Sequence, residues 1–249
     1  MTSNVVLTEA YSQWAAACEV QRRYMQHCTP ALENVSYSAE CRQLGDVGGD
    51  CYDFIQLPNG RLAMAVADAS GKGLAAALMI ASLQSSMRTA VALTAGDPKA
   101  VLTVVNRQAC SSSLTGRYAT LFYGVFDSRT RTLRYVNAGH NPPMVIRRDG
   151  SVQWLEAGGV PAGMFSDHSY AEGCIQLRRG DMVVAYTDGV VEALNSAGEE
   201  WGVQGLQNSA AESQRRCAEE VVNAIFDSLD EYSHGCQSDD ATVTVLCIL

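Results

Sequence analysis

Four short acidic motifs set the strongest constraint on how this chain folds. They read Gly48-Gly49-Asp50-Cys51-Tyr52-Asp53, Asp68-Ala69-Ser70-Gly71-Lys72-Gly73, Thr187-Asp188-Gly189 and Ser238-Asp239-Asp240-Ala241-Thr242. Three of them place an Asp at the end of an apolar, strand-like run. Leu62 to Ala67 leads into Asp68, Met182 to Tyr186 leads into Asp188, and Thr242 to Leu249 follows Asp239. A carboxylate at a strand end sits on a rigid element and faces a sheet edge. Several of them together repel one another unless a hard cation lies between them. The pattern therefore points to a divalent-metal site.

The 249 residues fit one large domain or two small ones, and 47% hydrophobic residues suffice for a sizeable core. The formal charge is −9, from 18 basic and 27 acidic residues, which argues against a nucleic-acid partner. Lys72 and Lys99 are the only lysines. The nine cysteines form no Cys-x-x-Cys pair and sit mostly in apolar runs, so they read as reduced core thiols. The N-terminus has neither a basic nor an apolar signal region, and no apolar run approaches the ~18 residues that span a bilayer. The expectation is a cytoplasmic protein without a membrane span.

Residues 5 to 28 carry Trp14, Ala17, Cys18, Gln21, Tyr24, Met25 and Cys28 at helical spacing. Strands are expected at 35–44, 51–57 and 61–67, with a hairpin turn at Pro58-Asn59-Gly60. Helices follow at 74–93 and from Asp97-Pro98, an N-cap and first-turn proline, to about 112. A strand meander over 118–127, 132–137, 144–148, 152–155, 173–177 and 182–186 comes next. Helices near 203–213 and 217–232 precede a last strand at 241–248. This order is α+β with antiparallel sheets. Several strands alternate little and read as buried on both faces, as two packed sheets with helices outside would bury them.

Five motifs in order carry a resemblance. They are Gly48-Gly49-Asp50-x-Tyr52-Asp53, Asp68-x-Ser70-Gly71-Lys72-Gly73, Asn137-Ala138-Gly139-His140-Asn141-Pro142-Pro143, Arg179-Gly180-Asp181 with Tyr186-Thr187-Asp188-Gly189, and Asp239-Asp240-Ala241-Thr242. Together they closely resemble the bacterial PPM/PP2C-like serine/threonine phosphatases of the SpoIIE and RsbU type, over nearly the whole chain. The resemblance implies an α-β-β-α sandwich of two antiparallel sheets flanked by helix pairs over residues 31–249. Residues 1–30 then form an N-terminal helix, a candidate regulatory or dimerisation element or contact for a sensor partner.

The resemblance also implies two Mn²⁺ or Mg²⁺ ions at one edge of the sandwich. Asp68 would bridge them, the Ala69 backbone carbonyl would ligate one, Asp188 and Asp239 would complete the second, and Asp50 would contact a metal directly or through water. Asp53 is expected behind these ligands, and Asp240 at a strand start. Two such cations can bind a phosphomonoester, lower the pKa of a bridging water and stabilise in-line displacement. The implied substrate is a phosphorylated protein of the STAS-domain, anti-sigma-factor-antagonist type. Ser70 stands where eukaryotic relatives carry a His that is a candidate general acid, and their phosphate-binding N-terminal Arg has no match, so the proton donor stays open.

Other readings compete. Asp149-Gly150 reads as a turn, and Gly71-Lys72-Gly73 lacks the spacing of a P-loop. Lys72 is either solvated or near an anionic substrate. His140 reads as a structural hydrogen-bonding residue, and His27, His168 and His234 as surface residues. Two rival functions remain, a non-catalytic phosphoprotein-binding module of the same fold and a dinuclear hydrolase of small phosphate esters.

Overall fold

The computed structural model describes residues 2–25, 32–112, 116–214 and 216–249. Two sheets stack face to face. The first contains β1 (Val35–Arg42), β11 (Ala241–Ile248), β10 (Met182–Tyr186), β6 (Met144–Ile146) and β7 (Val152–Trp154), in that spatial order and antiparallel throughout. The second contains β2 (Asp50–Leu57), β3 (Arg61–Ala69), β4 (Ala119–Asp127) and β5 (Thr132–Ala138), also antiparallel. Two short strands border different parts of β5: β8 (Gly158–Gly159) in parallel and β9 (Gly173–Gln176) antiparallel. The sequence pattern gave no signal for β8.

The strands are buried on both faces because each face has its own partner layer. On β3, Leu62, Met64 and Val66 point between the sheets and meet Phe54, Phe122, Phe126, Val183, Ala185 and Leu246. The alternate residues Ala63, Ala65 and Ala67 face α2 (Leu74–Leu93) and α3 (Pro98–Ser112). Their small side chains let Ile80, Met87, Leu102 and Val105 approach the sheet closely. The first sheet repeats this arrangement. Val184, Tyr186, Val243 and Val245 face α5 (Gly202–Glu212) and α6 (Ala218–Ser233), which supply Leu206, Val221, Ile225 and Phe226. The result is the α-β-β-α sandwich.

Local chemistry matches the expected punctuation. Asn59 takes the positive φ of 64° at the β2–β3 turn. Asp97 caps α3 by accepting the Ala100 N–H at 3.0 Å, with Pro98 in the first helical position. α1 (Thr2–Met25) starts three residues earlier than its periodicity predicts, and the expected last residues, Cys28 among them, lie outside the described residues. Trp14, Cys18 and Gln21 turn the helix onto Val47 and Ala77 and onto the chain at Gly48. The helix thus packs on its own domain.

Two expectations change. By length and composition α2 could cross a bilayer, with a mean hydropathy of 1.2 over its window, so one apolar run does reach that length. Here it packs Ala76, Ile80, Leu83, Met87 and Ala90 against the molecule. Among the described cysteines, the core-thiol reading holds for Cys18, Cys51 and Cys247. Cys41 and Cys110 are half-buried, while Cys174, Cys217 and Cys236 are exposed, on an edge strand, at a helix start and in a loop. All eight described cysteines are free.

Period-2 alternation also decides where Asp53 goes. Asp50, Tyr52 and Phe54 face the other sheet, so Asp53 faces α2. There Arg88 grips it through Nε at 2.6 Å and Nη2 at 3.0 Å, with the Asp53 side chain 0% and the Arg88 side chain 49% exposed. Asp53 thus anchors a helix and does not stand behind the acidic edge. Arg88→Met is expected to destabilise the protein by about 2–3 kcal/mol, less than a fully buried pair loses because the guanidinium is half exposed. Urea denaturation measures it, and a change below about 0.5 kcal/mol would contradict the anchoring role.

Candidate functional site

The β2–β3 register pairs Asp50 directly with Asp68. Both lie on the face between the sheets, at the strand ends where that face opens. Side chains paired in this way have Cβ atoms about 5 Å apart, so two carboxylates here repel strongly. β10 delivers Thr187 and Asp188 to the same edge, and β11 is entered through Asp239 and Asp240. Distant strand ends are thereby gathered as the sequence predicts.

Asp50 is held by the opposite sheet. It is 1% exposed, and its Oδ2 accepts the hydroxyls of Thr187 and Thr242, each at 2.7 Å. Thr187 is itself tied to β11, since its N–H donates to the Thr242 carbonyl at 3.0 Å and its Oγ1 accepts the Thr242 N–H at 2.9 Å. Burial pushes the Asp50 carboxyl well above the usual range; the two hydroxyls oppose that shift, and Asp68 and Asp240 add to it. Both threonines sit inside the acidic motifs, yet sequence reasoning assigned them no role. Their bonds join residues 137 and 192 positions apart.

Asp68 is half-buried, and its pKa rises to about 7. Burial is the main cause, followed by the charges of Asp188, Asp239 and Asp240, with Lys72 opposing. Asp188 opens the four-residue helix α4 (Asp188–Val191) and is also raised, by burial first and then by Asp239. Gly189 must lack a side chain, because a Cβ there would collide with the Asp240 carbonyl. This close approach brings the Asp188 and Asp239 segments side by side.

Asp240 is engaged by the backbone beside Asp50. It accepts the N–H groups of Leu44 at 2.7 Å and Gly49 at 2.6 Å, which holds the Gly48-Gly49 segment beside Asp50. Gln21 of α1 secures the same segment from the other side, donating to the Gly48 carbonyl at 2.7 Å and accepting the Gly48 N–H at 3.2 Å. Sequence reading placed Gln21 on a helical stripe and missed this contact. Ala69 donates its N–H to the Gly49 carbonyl at 3.0 Å. Ser70 accepts the Tyr118 N–H on Oγ at 3.1 Å and donates its own N–H to the Tyr118 carbonyl at 2.9 Å, fixing the turn after Asp68.

His140 is buried, bonds Thr120 through Nδ1 at 2.8 Å and is fixed by Asn137, whose Oδ1 accepts its N–H at 2.7 Å. Burial lowers its pKa to about 4, against a weaker opposing effect of the Tyr186 backbone, so the ring is neutral at physiological pH. His168 packs its ring edge-on against Tyr170, His234 is exposed, and His27 lies outside the described residues. Asp149 caps its own turn by accepting the Ser151 N–H at 3.0 Å. Lys72 is neither fully solvated nor free. Its Nζ lies 2.6 Å from Asp239 Oδ2.

The donor set is oxygen-only and mutually repulsive, which suits Mg²⁺ or Mn²⁺ and not zinc. The acids at one edge fit such a cation chemically, and burial together with the charges of Asp188, Asp239 and Asp240 raises the Asp68 pKa to about 7. They are not drawn into a closed set: among the described residues, no three Asp, Glu, His or Cys groups stand close enough to enclose an ion.

A family model described as Stage II sporulation protein E (SpoIIE) matches residues 58–249. The chain is 29% identical over 239 residues to "Phosphoserine phosphatase RsbU" of Bacillus subtilis (strain 168), covering 96% of this chain and 70% of that protein. It spans only 40% and 37% of the length of two further relatives. The SiaA-PP2C domain of Pseudomonas aeruginosa superposes with a TM-score of 0.84 at 21% identity, over 96% of this chain and 97% of that one. The catalytic domain of serine threonine protein phosphatase PstP, solved in complex with two manganese ions, superposes with a TM-score of 0.63 at 16% identity, over 86% and 98% of the two chains.

Two predictions follow from the geometry. Thr242→Val should lower stability by about 1–3 kcal/mol, because a buried carboxylate loses a donor; urea denaturation checks this. In chelator-treated protein, folding holds the Asp68 proton more tightly than the unfolded chain does, from its ordinary pKa of 3.8 up to about 7. Stability should therefore fall as pH rises across that window, and Asp68→Asn should flatten the fall. Identical slopes in thermal unfolding between pH 4 and 8 would contradict it.

By its motifs, its fold and the match over residues 58–249, the chain belongs to the SpoIIE family and has the PP2C-type phosphatase fold.

Proposed function

We propose that the chain is a metal-dependent protein serine/threonine phosphatase that hydrolyses phosphoserine or phosphothreonine. The observation that supports this most strongly is the acidic edge, where Asp50 and Asp68 face each other in register and burial, reinforced by the charges of Asp188 and Asp239, lifts Asp68 to about 7. Two Mn²⁺ or Mg²⁺ ions would be held by Asp68 between them, by Asp188 and Asp239 on one side, and by the Ala69 carbonyl and Asp50. Bound cations would supply charge to bind a phosphomonoester and acidify water for attack.

The chain's own residues supply positioning. Thr187 and Thr242 aim the Asp50 carboxylate, Asp240 and Gln21 hold its loop, and Ser70 fixes the turn that presents Asp68 and Ala69. The Ser70 Oγ is engaged with the Tyr118 backbone, and His140 carries no imidazolium proton near neutral pH. Neither arrangement assigns a proton donor, and we propose that water at the site or the substrate itself protonates the serine or threonine leaving group.

The name of RsbU and the shared family support a phosphorylated protein as substrate, and we propose one of the STAS-domain type in a partner-switching pathway. Docking of α1 against Gly48 supports residues 1–30 as an input element for a partner or a second copy. One observation favours the rival binding module: among the described residues, no three of the acidic groups stand close enough to enclose an ion. Calorimetry that finds no Mn²⁺ binding at millimolar metal would support that rival.

Asp68→Ala, Asp188→Ala and Asp239→Ala should each reduce Mn²⁺-dependent hydrolysis of an aryl phosphate at least 100-fold, on the order of a lost charge-stabilising group, with the fold retained by circular dichroism. Full activity of Asp188→Ala would overturn the assignment. Faster turnover of sugar phosphates than of a phosphopeptide would favour the small-ester hydrolase.

A further inference from the structure

Lys72 stands on the turn between β3 and α2, between Gly71 and Gly73 at φ 94° and 72°. Its Nζ lies 2.6 Å from Asp239 Oδ2 and donates to the Ser238 carbonyl at 3.0 Å. The Lys72 side chain is 60% exposed and that of Asp239 37%. The ammonium thus reaches the acidic edge from the solvent side and is held there by charge and two contacts rather than by packing. The flanking glycines allow it to leave without moving β3 or α2.

Asp239 Oδ1 accepts the Asp240 N–H at 2.9 Å, and the ammonium at 2.6 Å takes Oδ2, the other oxygen of the carboxylate that the proposed metal site assigns to a divalent cation. Two cations cannot both sit at contact distance from that oxygen without strong mutual repulsion. We propose that Lys72 is an internal competitor for this metal position: Asp239 exchanges the Lys72 ammonium for the metal ion, so Lys72 sets metal affinity. This rests on the metal reading above. The other lysine, Lys99, lies on α3 and takes no part.

The pair is solvent-exposed, and such pairs contribute about 0.2–1 kcal/mol, so its removal should tighten metal binding by a factor of about 1.4 to 5. The test is calorimetric titration of Mn²⁺ into the full metal-free chain at low ionic strength. K72M should bind about 1.4- to 5-fold more tightly than wild type, and K72R, which keeps the charge, should stay near wild type. K72Q provides a second neutral variant, and circular dichroism checks each fold. Equal or weaker affinity of both K72M and K72Q, with wild type binding, overturns the role of Lys72 alone. No Mn²⁺ binding by any of the proteins overturns the metal reading and this inference with it.

Discussion

The Asp50 carboxylate is the point on which the site depends. It lies at the start of β2 in one sheet and receives the hydroxyls of Thr187 and Thr242 from the other. A buried carboxylate without partners costs several kcal/mol, so these two donors are a condition for the sheets to close there. Once they close in this register, the rest follows from chain connectivity. Asp68 lies opposite Asp50 on the neighbouring strand, Asp188 follows Thr187, and Asp239 precedes Thr242 by three residues. A single inter-sheet contact thus fixes four carboxylates from remote parts of the chain.

The outer layers extend this arrangement to the surface. Alanines on β3 let α2 pack closely, and α2 begins just after the Asp68 turn. Arg88 locks α2 to the sheet through Asp53, on the face opposite Asp50. Gln21 links α1 to the Gly48 backbone, two residues from Asp50. The acidic edge is therefore joined through short hydrogen-bonded paths to both helices that precede and follow it. Its electrostatics are unfavourable by construction: burial first, and the charges of neighbouring carboxylates after it, shift Asp50, Asp68 and Asp188 upward. A fold that keeps such repulsion at a defined place, instead of dispersing it, supports a site built for cations.

Much of this is legible in the sequence because it is local. The period-2 runs, the Asn59-Gly60 turn and the Asp97-Pro98 cap each state their structure within a few residues. The acidic motifs mark the site because their carboxylates end strands. The two-residue strand β8 and the four-residue helix α4 are too short to leave a period. The threonine contacts to Asp50 were not legible, since a hydroxyl aimed across a sheet interface looks like any β-branched strand residue. Asp53 could have been placed: it is an odd number of residues from Asp50 and so faces away. Gln21, on a partly apolar helical stripe, gave no sign that its amide would hold a backbone segment. Lys72 was readable as near the site, but its pairing with Asp239 depends on the three-dimensional meeting of two turns.

The central claim is that this edge binds divalent cations through Asp68, Asp188 and Asp239. Anomalous diffraction from crystals of the full chain equilibrated with Mn²⁺ tests it most directly. The account predicts manganese peaks at coordination distance from oxygens of all three carboxylates, with the Lys72 ammonium withdrawn from Asp239. Crystals that diffract well at millimolar Mn²⁺ yet show no peak at this edge, with Lys72 still paired to Asp239, would contradict it.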